Sequence, residues 1–296
     1  MMEFEDDNDN GEDYMTIDWF YEIETEVKGA IGEAFCKAIK RNESDFILLM
    51  ARGGYHKHLD REDIDLSPFV VEDRMDFLMD LTRRRFFVRF MNDYVEKLNA
   101  GKVESDEERR YEVNIQMMVY THVWESHLFL NQLERLALIE LGRGYLWESK
   151  IPPYGKSNYI NNNIIQRFEK CGVEMAGLIK RCYSSDLRND FAHSTYYLEG
   201  NRIQSNKNAL YAGPSMSFDQ WDEVFARTML LSYHLNDMLL EIKNQYIDEA
   251  GDGPVVIMLP MKENHNKRRG VYIKPERMAG KEEKVRFRFM TKEEMC

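Results

Sequence analysis

The chain has 296 residues, of which 43% are hydrophobic and 31% are charged, a composition typical of a globular protein with a sizeable core. No apolar run approaches the length of about 20 residues that a membrane-spanning helix needs, and the acidic start of the sequence is unlike a secretory signal. We therefore expect a cytoplasmic protein with no membrane partner.

The cysteines and glycines indicate no cofactor. The four cysteines are scattered and form no C-x-x-C pair, so neither a zinc knuckle nor a disulfide framework is expected. The glycines form no phosphate-binding loop and no dinucleotide-binding pattern. We predict a protein without a metal ion or organic cofactor.

The charge is distributed unevenly along the chain. The net charge of −12 argues at first sight against nucleic acid, because phosphate binding favours a basic surface. However, residues 1–13 hold seven acidic side chains and no basic one, whereas residues 255–296 hold eleven Lys and Arg against six Glu. The acidity is concentrated at one end, so RNA binding is not excluded.

Helical spacing of apolar residues dominates the first 250 positions. Residues 1–15 are acidic and poor in apolar side chains, which predicts a disordered tail. Apolar residues three and four apart then predict a series of helices. They span Asp18–Lys40, Pro68 to about Asn99, Ser105 to about Leu141, a segment capped by Ser157, and a long amphipathic stretch from Trp221 to Tyr246.

Strand-like periods occur in two places. Tyr196–Ala212 reads as a short β-hairpin, and three strands are predicted at 255–259, 270–274 and 284–290. The predicted fold class is therefore all-α: an antiparallel helical bundle over residues 16–250, with a short β-hairpin and a small β-rich basic appendage over residues 251–296.

One segment carries a pattern with chemical meaning. Residues 187–194 read LRNDFAHS, and Arg188 with His193 is the only Arg-x4-His pair in the chain. Arg188, Asn189 and His193 resemble the R-[N/D/H]-x-x-x-H signature of HEPN ribonucleases, with Ala192 before the histidine as is common there. An upstream segment, His122 to His127, is similar to the aromatic–Glu segment that often packs near this motif. The resemblance implies a HEPN-like bundle over about residues 16–250.

The residue types suit RNA cleavage without a metal ion. A histidine titrates near neutral pH and suits the transfer of protons to and from the reacting oxygens. Arginine offers a planar fork of donors and a permanent charge for the phosphate. We predict Arg188, His193 and Asn189 as catalytic residues, and Asp190, Ser194 and Glu125 as supporting ones.

The spacing of the motif predicts a composite site. Arg188 and His193 are five residues apart, about 140 degrees around a helix at about 100 degrees per residue, so one helix does not fully converge them. Two copies across a two-fold axis would do so, and the resemblance likewise implies a homodimer. It also implies cleavage to a 2',3'-cyclic phosphate and a 5'-OH, a role in toxin or antiphage defence, and an antitoxin or defence-complex partner.

Other candidates and interpretations remain open. Lys284, Arg286 and Arg288 alternate along a predicted strand and form a candidate RNA-binding face, and the run Arg83–Arg85 with Arg89 is a second basic stretch. His122, Glu125 and His127 do not have the zincin order H-E-x-x-H, so we predict no metal site there. Arg188 also fits an ordinary ion pair with Asp186 or Asp190. The protein would then be an inactive HEPN binding or dimerisation module, or a structural subunit of a larger complex.

Overall fold

The computed structural model describes residues 15–57, 68–73, 75–101, 105–205, 215–251, 253–261, 267–278, 284–291 and 293–295. These residues form a mostly helical protein with small antiparallel sheets, as predicted. The predicted tail lies outside the described residues except for Met15, which is buried in the core. In the described part of the chain, no helix is both long and apolar enough to cross a membrane.

Ten α-helices occur in the described ranges. Their order is α1 (Ile17–Arg41), α2 (Glu43–Met50), α3 (Met75–Ala100), α4 (Asp106–Glu125), α5 (His127–Glu140), α6 (Lys156–Tyr159), α7 (Gln166–Cys171), α8 (Glu174–Cys182), α9 (Ser185–His193) and α10 (Phe218–Ala250). A π-helical turn, Ile160–Ile165, joins α6 to α7. α10 packs along α1, α4 and α8, and α1 also packs against α5. Fully buried Trp124, Trp221 and Phe225 lie in the core between these helices.

Three predicted helix boundaries are wrong. The helix predicted over Ser105–Leu141 is two helices, because Ser126 ends α4 and its side chain accepts a hydrogen bond from Phe129 N at 3.3 Å to begin α5. The helix predicted from Pro68 begins at Met75, since Phe69–Val70 pairs as a strand instead. The helix predicted to be capped by Ser157 begins at Lys156 after the left-handed Gly155.

The strands in the described part of the chain form three antiparallel sheets. β1 (Gly54–Tyr55) pairs with β2 (Phe69–Val70). β3 (Tyr196–Glu199), β4 (Arg202–Ser205) and β5 (Ser215–Ser217) form the predicted hairpin and one further strand. β6 (Val255–Pro260), β7 (Arg268–Met278) and β8 (Lys284–Phe289) form the C-terminal sheet at the predicted positions.

The C-terminal sheet packs directly on the helices. Ile257, Leu259 and Phe287 are buried in the same hydrophobic core as the bundle. Polar contacts add to this packing. Arg268 Nη1 donates to Asp45 Oδ1 of α2 at 3.2 Å, and Glu72 accepts a hydrogen bond from Phe287 N at 2.9 Å.

Candidate active site around α9

The helix that carries the motif is anchored at its N-terminus. Ser184 is the N-cap residue of α9, and its hydroxyl accepts a hydrogen bond from Leu187 N at 3.3 Å. The Ser184 backbone N–H donates to the Tyr120 hydroxyl at 3.0 Å. Tyr120 is fully buried in α4, and burial raises the pKa of its phenol, so the hydroxyl stays neutral and available as an acceptor. The start of α9 is therefore fixed to a rigid part of the core.

One face of α9 is held by aromatic side chains. Phe191 packs edge-on against Tyr120, Trp221 and Tyr196, with ring centroids 6.0, 5.3 and 5.2 Å away. Asp190, predicted as a supporting residue, is buried and accepts a hydrogen bond from the Thr195 hydroxyl at 3.0 Å. Asp190 therefore ties the end of α9 to the chain that follows it.

Arg188 lies on another side of α9, half-buried, with 20% of its side chain exposed. Its Nη2 forms an ion pair with Glu125 Oε1, and its Nη1 donates to Asn189 Oδ1 at 3.0 Å. Partial burial lowers the pKa of Arg188 from its ordinary value. The guanidinium remains a cation with a fixed orientation.

Glu125 joins two cations. It is the last residue of α4, and Lys156 Nζ also forms an ion pair with its carboxylate, at Oε2. The same ammonium donates to the backbone carbonyl of Glu125 at 3.3 Å. Glu125, which was predicted as a supporting residue, thus contacts Arg188, and its supporting role stays a prediction. Sequence reasoning missed Lys156, which lies 31 positions from Glu125 in the chain.

His193 is less constrained. It is the last residue of α9 and is exposed, and no hydrogen bond or ion pair to its ring is found within the described ranges. Ser194, predicted as a supporting residue, is the exposed C-cap of α9 in the left-handed conformation, with φ of 53°. The side-chain carbonyl oxygen of Asn189, which was predicted as a catalytic residue, accepts a hydrogen bond from Arg188.

The candidate RNA-binding strand β8 carries less free charge than its sequence suggests. The Arg286 guanidinium pairs with Glu276, and the Arg288 guanidinium forms two hydrogen bonds to Glu294, at 2.7 and 2.6 Å. The side chain of Lys284 lies outside the described part of the structure, as do those of Arg83 and Arg84. The RNA-binding role of Lys284, Arg286 and Arg288 stays a prediction.

No metal site was predicted at His122, Glu125 and His127. His122 and His127 are exposed, whereas the Glu125 carboxylate is engaged by Arg188 and Lys156. Of the residues that the structure describes, no three His, Cys, Asp or Glu side chains are grouped so that they would hold a metal ion.

Comparisons with known proteins add no relative: no family model, no curated protein and no solved structure matches the chain significantly. The chemistry of the site therefore rests on its own geometry. Arg188, Asn189, Glu125 and Lys156 form one connected polar group, defined here as the α9 cluster. His193 lies on the same helix, about one and a half turns beyond Arg188.

Proposed function

We propose that this chain is a metal-independent endoribonuclease with a HEPN-like helical bundle, whose active site is formed by Arg188, His193 and Asn189. One observation carries the proposal. A half-buried arginine, oriented by Glu125 and Asn189, and an exposed histidine without a hydrogen-bond partner among the described residues share a single anchored helix.

The chemistry follows from these side chains. The Arg188 fork binds the non-bridging oxygens of the scissile phosphate and stabilises the charge that builds up there. A neutral His193 takes the proton from the ribose 2'-OH, whose oxygen then attacks phosphorus. The bond from phosphorus to the 5'-oxygen breaks and this oxygen takes up a proton from water, while His193 releases the proton that it took from the 2'-OH. The products are a 2',3'-cyclic phosphate and a 5'-OH.

A homodimer completes the proposed site, because Arg188 and His193 point about 140 degrees apart around α9 at about 100 degrees per residue. The surface of α4 supports this assembly. Tyr111 and Met118 on α4 are 70% and 54% exposed. His122 and Glu125 follow Met118 at spacings of four and three residues, so these four residues form one stripe along α4. The stripe ends at Glu125, which belongs to the α9 cluster. A groove of about 490 Å³ between α3, α4, α5 and α10 runs beside this stripe. Large exposed apolar surfaces commonly mark interfaces.

The dimer is tested by placing a charge in the α4 stripe. Met118→Glu should give a monomer by light scattering and a large loss of cleavage, because a carboxylate would be desolvated at the interface. Leu240→Glu is the matched control, since Leu240 is an exposed apolar residue of α10, 46% exposed. A Met118→Glu protein that remains a fully active dimer contradicts this interface.

The activity is tested by incubating the purified protein with total RNA in EDTA. The wild-type protein should cleave and leave 2',3'-cyclic phosphate ends, whereas His193→Ala should lower the rate by roughly 100-fold or more. Both proteins should melt at nearly the same temperature, because His193 is exposed at the end of its helix. Cleavage that persists in His193→Ala, or that is lost on adding EDTA, contradicts the mechanism.

The second candidate is a catalytically inactive RNA- or protein-binding module. The ion pair between Arg188 and Glu125 favours this second candidate, because the carboxylate already binds one of the guanidinium nitrogens that would contact a phosphate. Such a module would not cut RNA at any pH.

The biological setting is proposed from the resemblance alone: a cytoplasmic nuclease in toxin or antiphage defence, restrained by an antitoxin or a defence-complex partner.

A further inference from the structure

We infer that Lys156 is a positioning residue of the proposed site, which neutralises Glu125 so that Arg188 keeps its positive charge for RNA. The inference rests on the proposed function and adds a residue that the motif does not contain. It starts from the geometry of the α9 cluster, in which one carboxylate is shared by two cations.

Lys156 is too deeply buried to bind RNA itself. Only 7% of its side chain is exposed, against 20% for Arg188 and 26% for Glu125. Its ammonium group contacts the Glu125 carboxylate and the Glu125 backbone carbonyl at the end of α4. Lys156 is therefore the most deeply buried of the three side chains, and both Arg188 and Glu125 lie nearer to solvent.

The charge of the cluster depends on this lysine. A carboxylate that contacts an arginine cancels most of its attraction for a phosphate, because the two opposite charges act on the phosphate at similar distances. Lys156, Glu125 and Arg188 together carry one net positive charge, whereas Glu125 and Arg188 alone would carry none. Glu125 thereby holds the arginine in place without cancelling its charge.

A purely structural role for Lys156 makes a different prediction. The ammonium group also satisfies a carbonyl at the C-terminus of α4, where cations are stabilising. If that were its whole function, removing Lys156 would lower the melting temperature, and removing the charge of Glu125 as well would not restore RNA binding.

The experiment compares four proteins that cover three charge states of the cluster. RNA affinity is measured by fluorescence anisotropy for four proteins: wild type, Lys156→Met, Glu125→Gln and the double variant. The probe is a 2'-O-methyl RNA oligonucleotide, which resists cleavage, and two salt concentrations are used because phosphate contacts are salt-dependent. The net charges of the cluster are +1 for wild type, 0 for Lys156→Met, +2 for Glu125→Gln and +1 for the double variant.

Affinity should follow these charges. Lys156→Met should bind about tenfold more weakly than wild type, Glu125→Gln should bind more tightly, and the double variant should return close to the wild-type affinity. Lys180→Met is the matched control, because Lys180 is an exposed lysine in an ion pair with Glu169, and it should bind like wild type. Lys156→Arg keeps the charge and should retain most of the affinity.

Two results overturn the inference. One is a folded Lys156→Met protein with wild-type affinity, and the other is a double variant that binds as weakly as Lys156→Met. If Lys156→Met does not fold, the other two variants decide the outcome. The inference then requires that Glu125→Gln bind RNA more tightly than wild type and that the double variant bind it about as tightly as wild type. Wild-type protein that neither binds nor cleaves RNA instead overturns the proposed function, and the inference with it.

Discussion

Two arginine–carboxylate pairs hold opposite ends of α4, and they differ in burial and in number of cations. At the N-terminal end, Arg109 pairs with Asp222 of α10 at 2.5 Å, with 9% and 4% of the side chains exposed. At the C-terminal end, Arg188 pairs with Glu125, with 20% and 26% exposed, and Lys156 joins them. The first pair is enclosed and neutral, whereas the second pair is partly exposed and has a net positive charge once Lys156 is counted.

The environments of the two arginines differ in a way that bears on the role proposed for Arg188. The Arg109 guanidinium also lies over the Phe218 ring, 5.5 Å from its centroid. Burial acts to lower the pKa of Arg109, but Asp222 outweighs it and the pKa is raised. Arg188 has no such enclosure, and its pKa is lowered by partial burial. An arginine held by a shared carboxylate near solvent is available to an anionic ligand, whereas one sealed between two helices is not.

The largest expected effect is on stability at the enclosed pair. Asp222→Ala leaves the Arg109 charge buried without its partner, which should lower the free energy of unfolding by about 3–5 kcal/mol in urea titrations. Arg188→Ala should cost about 1 kcal/mol or less, because its pair is partly exposed and Glu125 retains Lys156. Similar losses in the two variants would contradict the distinction between the pairs.

A third carboxylate, that of Glu140, sharpens the comparison because it forms no ion pair at contact distance among the described residues. Both oxygens of Glu140 are buried without a hydrogen-bond partner in the described part of the structure, and burial raises its pKa to about 8, against 4.5 ordinarily. Between these pH values the folded protein retains a proton that the unfolded chain releases. Its contribution to stability therefore falls as pH rises through this window.

Glu140→Gln removes this titration. The variant should gain stability relative to wild type by about 1 kcal/mol or more between about pH 5 and about pH 8.5, measured by urea unfolding at each pH. A stability difference that does not change with pH would show that Glu140 titrates normally.

Much of the fold was predictable, but the connections of the site were not. The spacing of apolar residues is regular in α1, α10 and the strands β6–β8, and the elements predicted there were confirmed. The division of α4 from α5 was missed because the helical spacing of apolar residues continues across Ser126, from Trp124 to Leu128, and only a cap marks the break. The motif and Glu125 were found from local patterns. Lys156 was not, since a contact across 31 positions leaves no periodic signal.

A smaller effect is expected where α9 is attached to the core. Tyr120→Phe removes the acceptor of the Ser184 N–H, which should cost about 1 kcal/mol and speed amide hydrogen exchange in α9 more than in α10. Tyr21→Phe, at an exposed tyrosine of α1, is the control and should change neither. Unchanged exchange in α9 would mean that the aromatic packing of Phe191 alone fixes this helix.

The central claim is that Arg188 and His193 form one RNA-cleaving site, and mixing two inactive variants tests it most directly. Arg188→Ala and His193→Ala should each be nearly inactive in EDTA, because the first variant lacks the group that binds the phosphate and the second lacks the group that takes the proton. An equimolar mixture, unfolded and refolded together, should recover a clear share of the wild-type rate and produce 2',3'-cyclic phosphate ends, since mixed dimers combine the intact arginine of one copy with the intact histidine of the other. Full activity in either variant alone would contradict the account. A mixture that contains mixed dimers yet stays inactive would contradict the composite site.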